Sequence, residues 1–213
     1  VFGEPSATGS WGWRVEGHHL IVNVTLAGPE QVRVTPTFWG SNPARIPHGP
    51  QAGHRVMGRE YHLGLELARS LSDAQRRVAV ISGRSLGNIV TERGRAQELR
   101  VPTGLPFADL DDGQRDLLMA IAAEHVGNAV DAVGRPYLEG IRRHGLQALR
   151  LAWAGGMAEG QAFYYRLHHP RLLIELDCTQ NDANHIHSIW RDPVADWGRD
   201  VLGEHYRHHH DHD

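Results

Sequence analysis

The residues with the clearest chemical potential are the histidines of an Asn-His-Ile-His segment at residues 184–187. Side chains two positions apart on a β-strand face the same side. A strand here would therefore hold the imidazoles of His185 and His187 together, about 6–7 Å apart in Cα position. Imidazole nitrogen ligates zinc, copper and iron. A His-x-His strand thus supplies two ligands to one ion, and a complete site needs a third ligand from elsewhere in the chain.

A second histidine pair, His18-His19, is the obvious source of that third ligand. In a continuous strand these two residues face opposite sides. We predict that His19 is the ligand, because its side of the strand also carries Asn23, whereas His18 shares a side with Leu20. His18 is kept as the alternative metal ligand. Three imidazoles with an open coordination position are typical of a catalytic zinc site.

Charged and polar residues near both segments extend the hypothesis from a metal centre to an active site. Glu16 or Asp192 could act as a general base or orient an imidazole. An arginine could bind an anionic substrate group through two parallel hydrogen bonds. The residues expected to bind substrate are Arg14, Asn23, Asn184 and Arg191. The structural alternative is an Arg191–Asp192 ion pair that closes the strand.

These residues support functions from different classes. The first hypothesis is a metal-dependent enzyme, a hydrolase in which a divalent ion, with zinc preferred, activates water for attack on a small-molecule or peptide substrate. Copper or iron at the same histidines would instead give an oxidoreductase. A non-catalytic ligand-binding module and a purely structural network of polar side chains are the remaining alternatives.

Composition narrows the choice of partner. The chain has 213 residues and a formal net charge of −3, which favours neither nucleic acid nor an anionic membrane as a partner. All 22 basic residues are arginine, so lysine chemistry is excluded.

No apolar run approaches the roughly 20 residues of a membrane helix, so we expect a soluble protein. Because the chain starts at Val1, we expect it to be processed or truncated, with an exported protein and a homo-oligomer both compatible with the sequence.

Hydrophobic patterning predicts a single α+β domain over residues 1–213, built on an antiparallel sheet. Residues 13–26 and 31–39 are predicted to form an N-terminal hairpin. A helical subregion at about 55–146 should pack on one side of the sheet. Four further strands, which form a C-terminal meander, are predicted at residues 148–154, 161–167, 171–178 and 185–190. The His/Asp-rich tail at about 207–213 is predicted to be disordered.

Local signals give the helix boundaries. One helix is predicted at about 57–71. Ser72 and Gln75 have the spacing of a capping box, and so do Asp111 and Gln114, so each pair should open a helix. Pro136 is expected in the first turn of a further helix that ends near Gly145.

Three stretches are specific enough to suggest a family. They are Phe-Gly-x-Pro-Ser at residues 2–6, Trp-Gly-Trp-Arg-x-Glu-Gly-His-His at residues 11–19, and Ala-Asn-His-Ile-His-Ser-x-Trp-Arg-Asp-Pro at residues 183–193. Through them the chain resembles, along nearly its whole length, the bacterial and fungal family called domain of unknown function 3500. The resemblance implies no established activity. It does imply that the two histidine stretches form one site, and that a helical segment precedes residue 2 in family members.

Overall fold

The computed structural model describes residues 1–28 and 30–202, so the predicted disordered tail lies outside the described residues. The described chain forms a ten-stranded sheet whose main path runs β1-β2-β4-β10-β9-β8-β7-β5. The strands are β1 (Ser10–Gly17), β2 (Leu20–Ala27), β3 (Val32–Arg33), β4 (Thr37–Ser41), β5 (Val80–Ser82), β6 (Leu105–Pro106), β7 (Arg150–Gly155), β8 (Phe163–His169), β9 (Leu172–Cys178) and β10 (Ile186–Arg191).

The helices lie mainly between β4 and β7 in the sequence. They are α1 (Gly58–Ser70), α2 (Asp73–Ala79), α3 (Asp112–Val126), α4 (Asp131–His144) and the short α5 (Gln180–Ala183). All strand pairs are antiparallel except β5 with β7. The predicted α+β class, with an N-terminal hairpin and a C-terminal meander of β7 to β10, is confirmed. None of the helices in the described part of the chain is long and apolar enough to span a membrane.

The two faces of the sheet differ because side chains alternate along each strand. In β9, Ile174 and Leu176 belong to the hydrophobic core that also contains residues of α1 and α3. Glu175 and Asp177 point to the opposite face, where both are buried. A largely irregular segment, residues 83–104, covers that face, and we call it the covering loop. The sheet therefore has an apolar face against the helices and a polar face under the covering loop.

Hydrogen bonds from the polar face hold the covering loop in place. The Glu175 carboxylate accepts hydrogen bonds from the backbone N–H groups of Val90 and Thr91, at 2.6 and 3.0 Å, and from the Tyr164 hydroxyl at 2.7 Å. The Asp177 carboxyl accepts one from the Ser85 hydroxyl at 3.2 Å. Since a buried carboxylate is costly without such partners, these bonds fix the position of the loop over the sheet.

Both predicted capping boxes are confirmed. Ser72 caps α2 and Asp111 caps α3, each with a reciprocal bond from the glutamine three residues later. The two glutamines also contact each other, with Gln75 Nε2 donating to Gln114 Oε1 at 2.7 Å. The two glutamines of the capping boxes therefore also connect the N-termini of α2 and α3.

Three predictions about element boundaries are wrong. Residues 13–26 do not form one strand, because the chain reverses at His18-His19 and Gly17 pairs with Leu20. Apolar residues occupy odd positions before this turn (Trp13, Val15) and even positions after it (Leu20, Val22), so the change of phase marks the turn. The predicted strand at 31–39 is divided into β3 and β4, both of which pair with β2. Helix α4 begins at Asp131, so Pro136 lies in its second turn and not in its first. The helix ends just before Gly145, as predicted, and Gly145 has φ of 106°.

The buried His125 of α3 generates a prediction about stability. Its Nδ1–H donates to the carbonyl of Ile121 at 2.9 Å, and burial lowers its pKa to about 4, from 6.5. Between these values the unfolded chain binds more protons than the folded one, so the free energy of unfolding falls as pH falls. One such group contributes up to about 1.4 kcal/mol per pH unit. We expect His125→Leu to reduce this slope between pH 6.5 and 4, as measured by denaturant unfolding of metal-free protein.

The matched control is His48→Gln, at an exposed position. It should leave the slope as it is in the unmodified protein. Equal slopes in His125→Leu and the unmodified chain would show that His125 does not carry this pH dependence.

Candidate metal centre

Three histidines meet at the edge of the polar face. His19 comes from the β1–β2 turn, His185 directly precedes β10, and His187 lies on β10. One ring nitrogen of each lies within 4.8 Å of the other two, and the Nε2 atoms of His19 and His185 are 2.9 Å apart. Ligand atoms that share one tetrahedral zinc ion, with bonds of 2.0–2.1 Å, lie about 3.3 Å apart. The three imidazoles are therefore close enough together to hold one metal ion.

Strand β4 brings the two histidine segments together. It lies between β2 and β10, with Gly40 paired with His187, and the Gly40 N–H donates to the carbonyl of His19 at 2.9 Å. A Cβ atom at residue 40 would lie 2.8 Å from Cδ2 of His19 and 2.9 Å from Cδ2 of His187. The absence of a side chain at Gly40 therefore makes room for two imidazoles.

The covering loop orients one of the three imidazoles. Nδ1 of His187 lies 2.9 Å from Oδ1 of Asn88, and Nδ2 of Asn88 donates to Glu92 at 3.0 Å. This contact places the proton of the His187 ring on Nδ1 and leaves the Nε2 lone pair for a metal. Hydrogen bonds of this kind are usual partners of metal-bound histidine. Sequence reasoning missed Asn88 and Gly40, since neither belongs to a recognisable motif.

The electrostatic environment favours neutral imidazoles. Burial is the largest cause that lowers the pKa of His19, His185 and His187, and the neighbouring imidazoles lower it further. For His187 the pKa falls to about 4. The neutral ring is the form that ligates a metal, so the three rings are ready for coordination at neutral pH. His18 lies beside them, with its ring centroid 4.4 Å from that of His19, but it is exposed and outside the group of three.

A cavity of about 490 Å³ opens beside His187, between the polar face and the covering loop. Three of the residues predicted to contact substrate or act as a base line it: Arg14, Glu16 and Arg191. Arg14 Nη2 and Glu16 Oε2 form an ion pair at 2.6 Å. Arg191 donates from Nε to Asp196 at 2.7 Å and from Nη1 to the Thr91 carbonyl at 2.9 Å.

Asp192 does not belong to this cavity. Its carboxylate binds Arg171 through bonds of 3.0–3.2 Å and accepts the backbone N–H of Val194 at 3.0 Å. The predicted Arg191–Asp192 pair is therefore wrong, because alternation along the strand separates the two neighbours and each finds a different partner. With its carboxylate buried and paired, Asp192 is removed from the candidate bases.

The two candidate asparagines also serve the fold. Asn23 is buried, and its Nδ2 donates to the Pro36 carbonyl, which ties β2 to the segment before β4. Asn184 accepts from the Arg45 N–H at 2.6 Å and donates to the Arg45 carbonyl at 3.2 Å. Neither asparagine lines the cavity beside His187. Both amides thus make backbone contacts that hold neighbouring segments together.

The fold and the site define an α+β protein with a three-histidine candidate metal centre. A family model described as protein of unknown function (DUF3500) matches residues 1–199, so the chain belongs to that family. Neither the comparison with curated proteins nor the comparison with solved structures gives a match. The resemblance suggested by the sequence motifs is thereby confirmed, and the family carries no activity that could be transferred to the chain.

The close contacts of Gly40 generate a prediction about metal affinity. Gly40→Ala should force the imidazoles of His19 and His187 apart, and overpacking of this kind costs about 1–3 kcal/mol. We expect zinc to bind about tenfold more weakly or worse, as measured by competition with a chromogenic chelator. Gly83→Ala is the control, because no atom lies within 4 Å of its Cβ position. Equal zinc affinity in the two variants would argue against the tight packing of the rings.

The contact between Asn88 and His187 generates a second prediction about metal affinity. Asn88→Ala removes the hydrogen-bond acceptor from Nδ1 of His187 and should weaken zinc binding by about 10–100-fold. Asn88→Asp retains an acceptor oxygen, so its affinity should fall less. Isothermal titration calorimetry with zinc would measure both. An unchanged affinity in Asn88→Ala would show that the imidazole is oriented by other contacts.

Proposed function

We propose that the chain is a metal-dependent enzyme, a hydrolase whose zinc ion is held by His19, His185 and His187. The supporting observation is that three imidazoles, the ligand set of a catalytic rather than a structural zinc site, lie together and that one of them, His187, lines a cavity. A closed structural site would need a fourth protein ligand. In the described part of the chain, the group of potential ligands contains these three histidines alone.

The surrounding residues have separate roles in this proposal. When bound, zinc supplies a Lewis acid that makes water a nucleophile near neutral pH. Asn88 holds the ring of His187 with Nε2 toward the ion. Glu16 lines the cavity and is the remaining candidate for the general base, since Asp192 does not line it. Arg14 and Arg191 line the same cavity and would bind an anionic part of a small-molecule or peptide substrate.

Elemental analysis of the full-length, tag-free protein tests the metal. The histidines of the tail (residues 208–210 and 212) are changed to serine in every sample, because they could chelate metal themselves. In protein as purified from cells grown with zinc, copper and iron, we expect about one zinc per chain. His187→Ala should lose it, whereas His48→Ala, at an exposed position, should retain it.

Three outcomes would contradict the proposal. A chain without stoichiometric metal has no metal centre, and stoichiometric copper or iron would point to redox chemistry at the same histidines. X-ray absorption of the zinc form should give three nitrogen ligands and at least one light-atom ligand from solvent. Four protein ligands would instead identify a closed structural site.

A further inference from the structure

The floor of the cavity is an apolar row that crosses three strands. Ile21 of β2 pairs with Phe38 of β4, and Phe38 pairs with Ile189 of β10. All three line the cavity, and they alternate in sequence with residues of the opposite face. They form a continuous surface on the polar face of the sheet, at a place where a ligand can reach them.

The strand register orders the chemistry along the cavity. The row before the apolar one contains His187 and Gly40, next to His19. The row after it contains Arg191 of β10 and Arg14 of β1. Same-face residues along a strand are about 6.6–6.8 Å apart, so the Cα atoms of His187 and Arg191 are separated by about 13 Å. The metal centre, the apolar row and the arginines thus follow one another over the length of a small molecule.

The charges at the far end are incompletely compensated. Arg191 is paired with Asp196, and Arg14 with Glu16. Nε of Arg14 is nevertheless buried without a hydrogen-bond partner. Arg93 of the covering loop lines the same cavity and forms no ion pair with any residue in the described part of the chain. Arg93 and Arg14 both line the cavity, so a ligand carboxylate bound there would have cationic partners.

An aromatic side chain adds to the wall of the cavity near these arginines. Trp197 lines the cavity, is 42 % exposed, and its ring centroid lies 5.3 Å from the guanidinium carbon of Arg14. Its backbone has φ of 65°, a left-handed conformation that is uncommon for a bulky residue. Such backbone is retained mainly where the surrounding structure requires it. The indole is therefore held at the cavity by its backbone despite being partly exposed to solvent.

We infer that this cavity selects amphipathic carboxylic acids: molecules with a carboxylate at Arg93 and Arg14, an apolar segment over Ile21, Phe38 and Ile189, and a hydrolysable group at the histidines. The part concerning the hydrolysable group rests on the proposed function. The part concerning the carboxylate and the apolar segment stands on the cavity alone. A volume of about 490 Å³ accommodates a ligand of this size.

The carboxylate and the apolar segment are tested without metal. Full-length protein treated with a chelator is titrated calorimetrically with 4-phenylbutyrate, 4-phenylbutanol and 4-phenylbutylamine. The carboxylate should bind about tenfold more tightly than the alcohol, and the amine most weakly. Arg93→Gln should remove the advantage of the carboxylate over the alcohol. Arg84→Gln, an exposed arginine of the covering loop that does not line the cavity, should preserve it.

The inference is overturned if 4-phenylbutyrate fails to bind, if the alcohol binds as tightly, or if Arg93→Gln and Arg84→Gln behave alike. None of these measurements involves zinc. They can therefore be interpreted even if the three histidines bind no metal.

The order of groups along the cavity is tested with zinc-loaded protein. Hydroxamates, which bind zinc, are compared with and without a carboxylate at the other end of an alkyl chain of varied length. We expect the carboxylate to improve affinity about tenfold at one chain length, and to bring no gain in Arg93→Gln. If the hydroxamates bind but the carboxylate brings no gain at any length, the metal centre stands and the inference falls. If elemental analysis finds no zinc while 4-phenylbutyrate still binds through Arg93, the proposed function falls and the carboxylate site stands.

Discussion

Strand β4 determines how the two halves of the sheet meet, because it pairs with β2 on one side and with β10 on the other. This register places Gly40 beside both histidine segments, and it places Phe38 between Ile21 and Ile189. A shift of one residue would move every side chain of β4 to the opposite face. The three-histidine cluster and the apolar floor of the cavity therefore depend on the same backbone pairing, and a shift in register would displace both.

Burial of charge explains how an irregular segment becomes part of this site. Glu175 is fully buried on the polar face, and such a carboxylate needs hydrogen-bond donors in place of water. Two of those donors are the backbone N–H groups of Val90 and Thr91. Asn88 is two residues before Val90, so the same contacts position its side chain against His187. The carboxylate thus acts on the imidazole only through the loop, which makes Glu175 a positioning residue.

The parts of this structure that depend on local signals could be predicted from the sequence. The two capping boxes and the meander are of this kind, and the spacing of His185 and His187 correctly predicted that both rings belong to one cluster. The turn at His18-His19 was missed, because its two central positions do not hold the usual Asn-Gly or Asp-Gly pair. The change of phase of the apolar residues, from odd positions up to Val15 to even positions from Leu20, was the signal that could have located it. Gly40 and Asn88 were out of reach for another reason: their roles arise from contacts with residues far away in the sequence.

Backbone strain lies at both ends of β10. Before it, Asn181, Asp182 and Ala183 have φ of 51°, 54° and 59°, and after it Trp197 has φ of 65°. Each left-handed residue costs about 1–3 kcal/mol and persists only where other contacts hold it. Those contacts are present: Cys178 Sγ donates to the Ala183 carbonyl at 3.1 Å, and the Trp197 N–H donates to the Thr35 carbonyl at 2.8 Å. Because the strand that carries His187 and Arg191 is anchored in this way at each end, the candidate metal ligand and the arginine are held at a defined separation before any ligand binds.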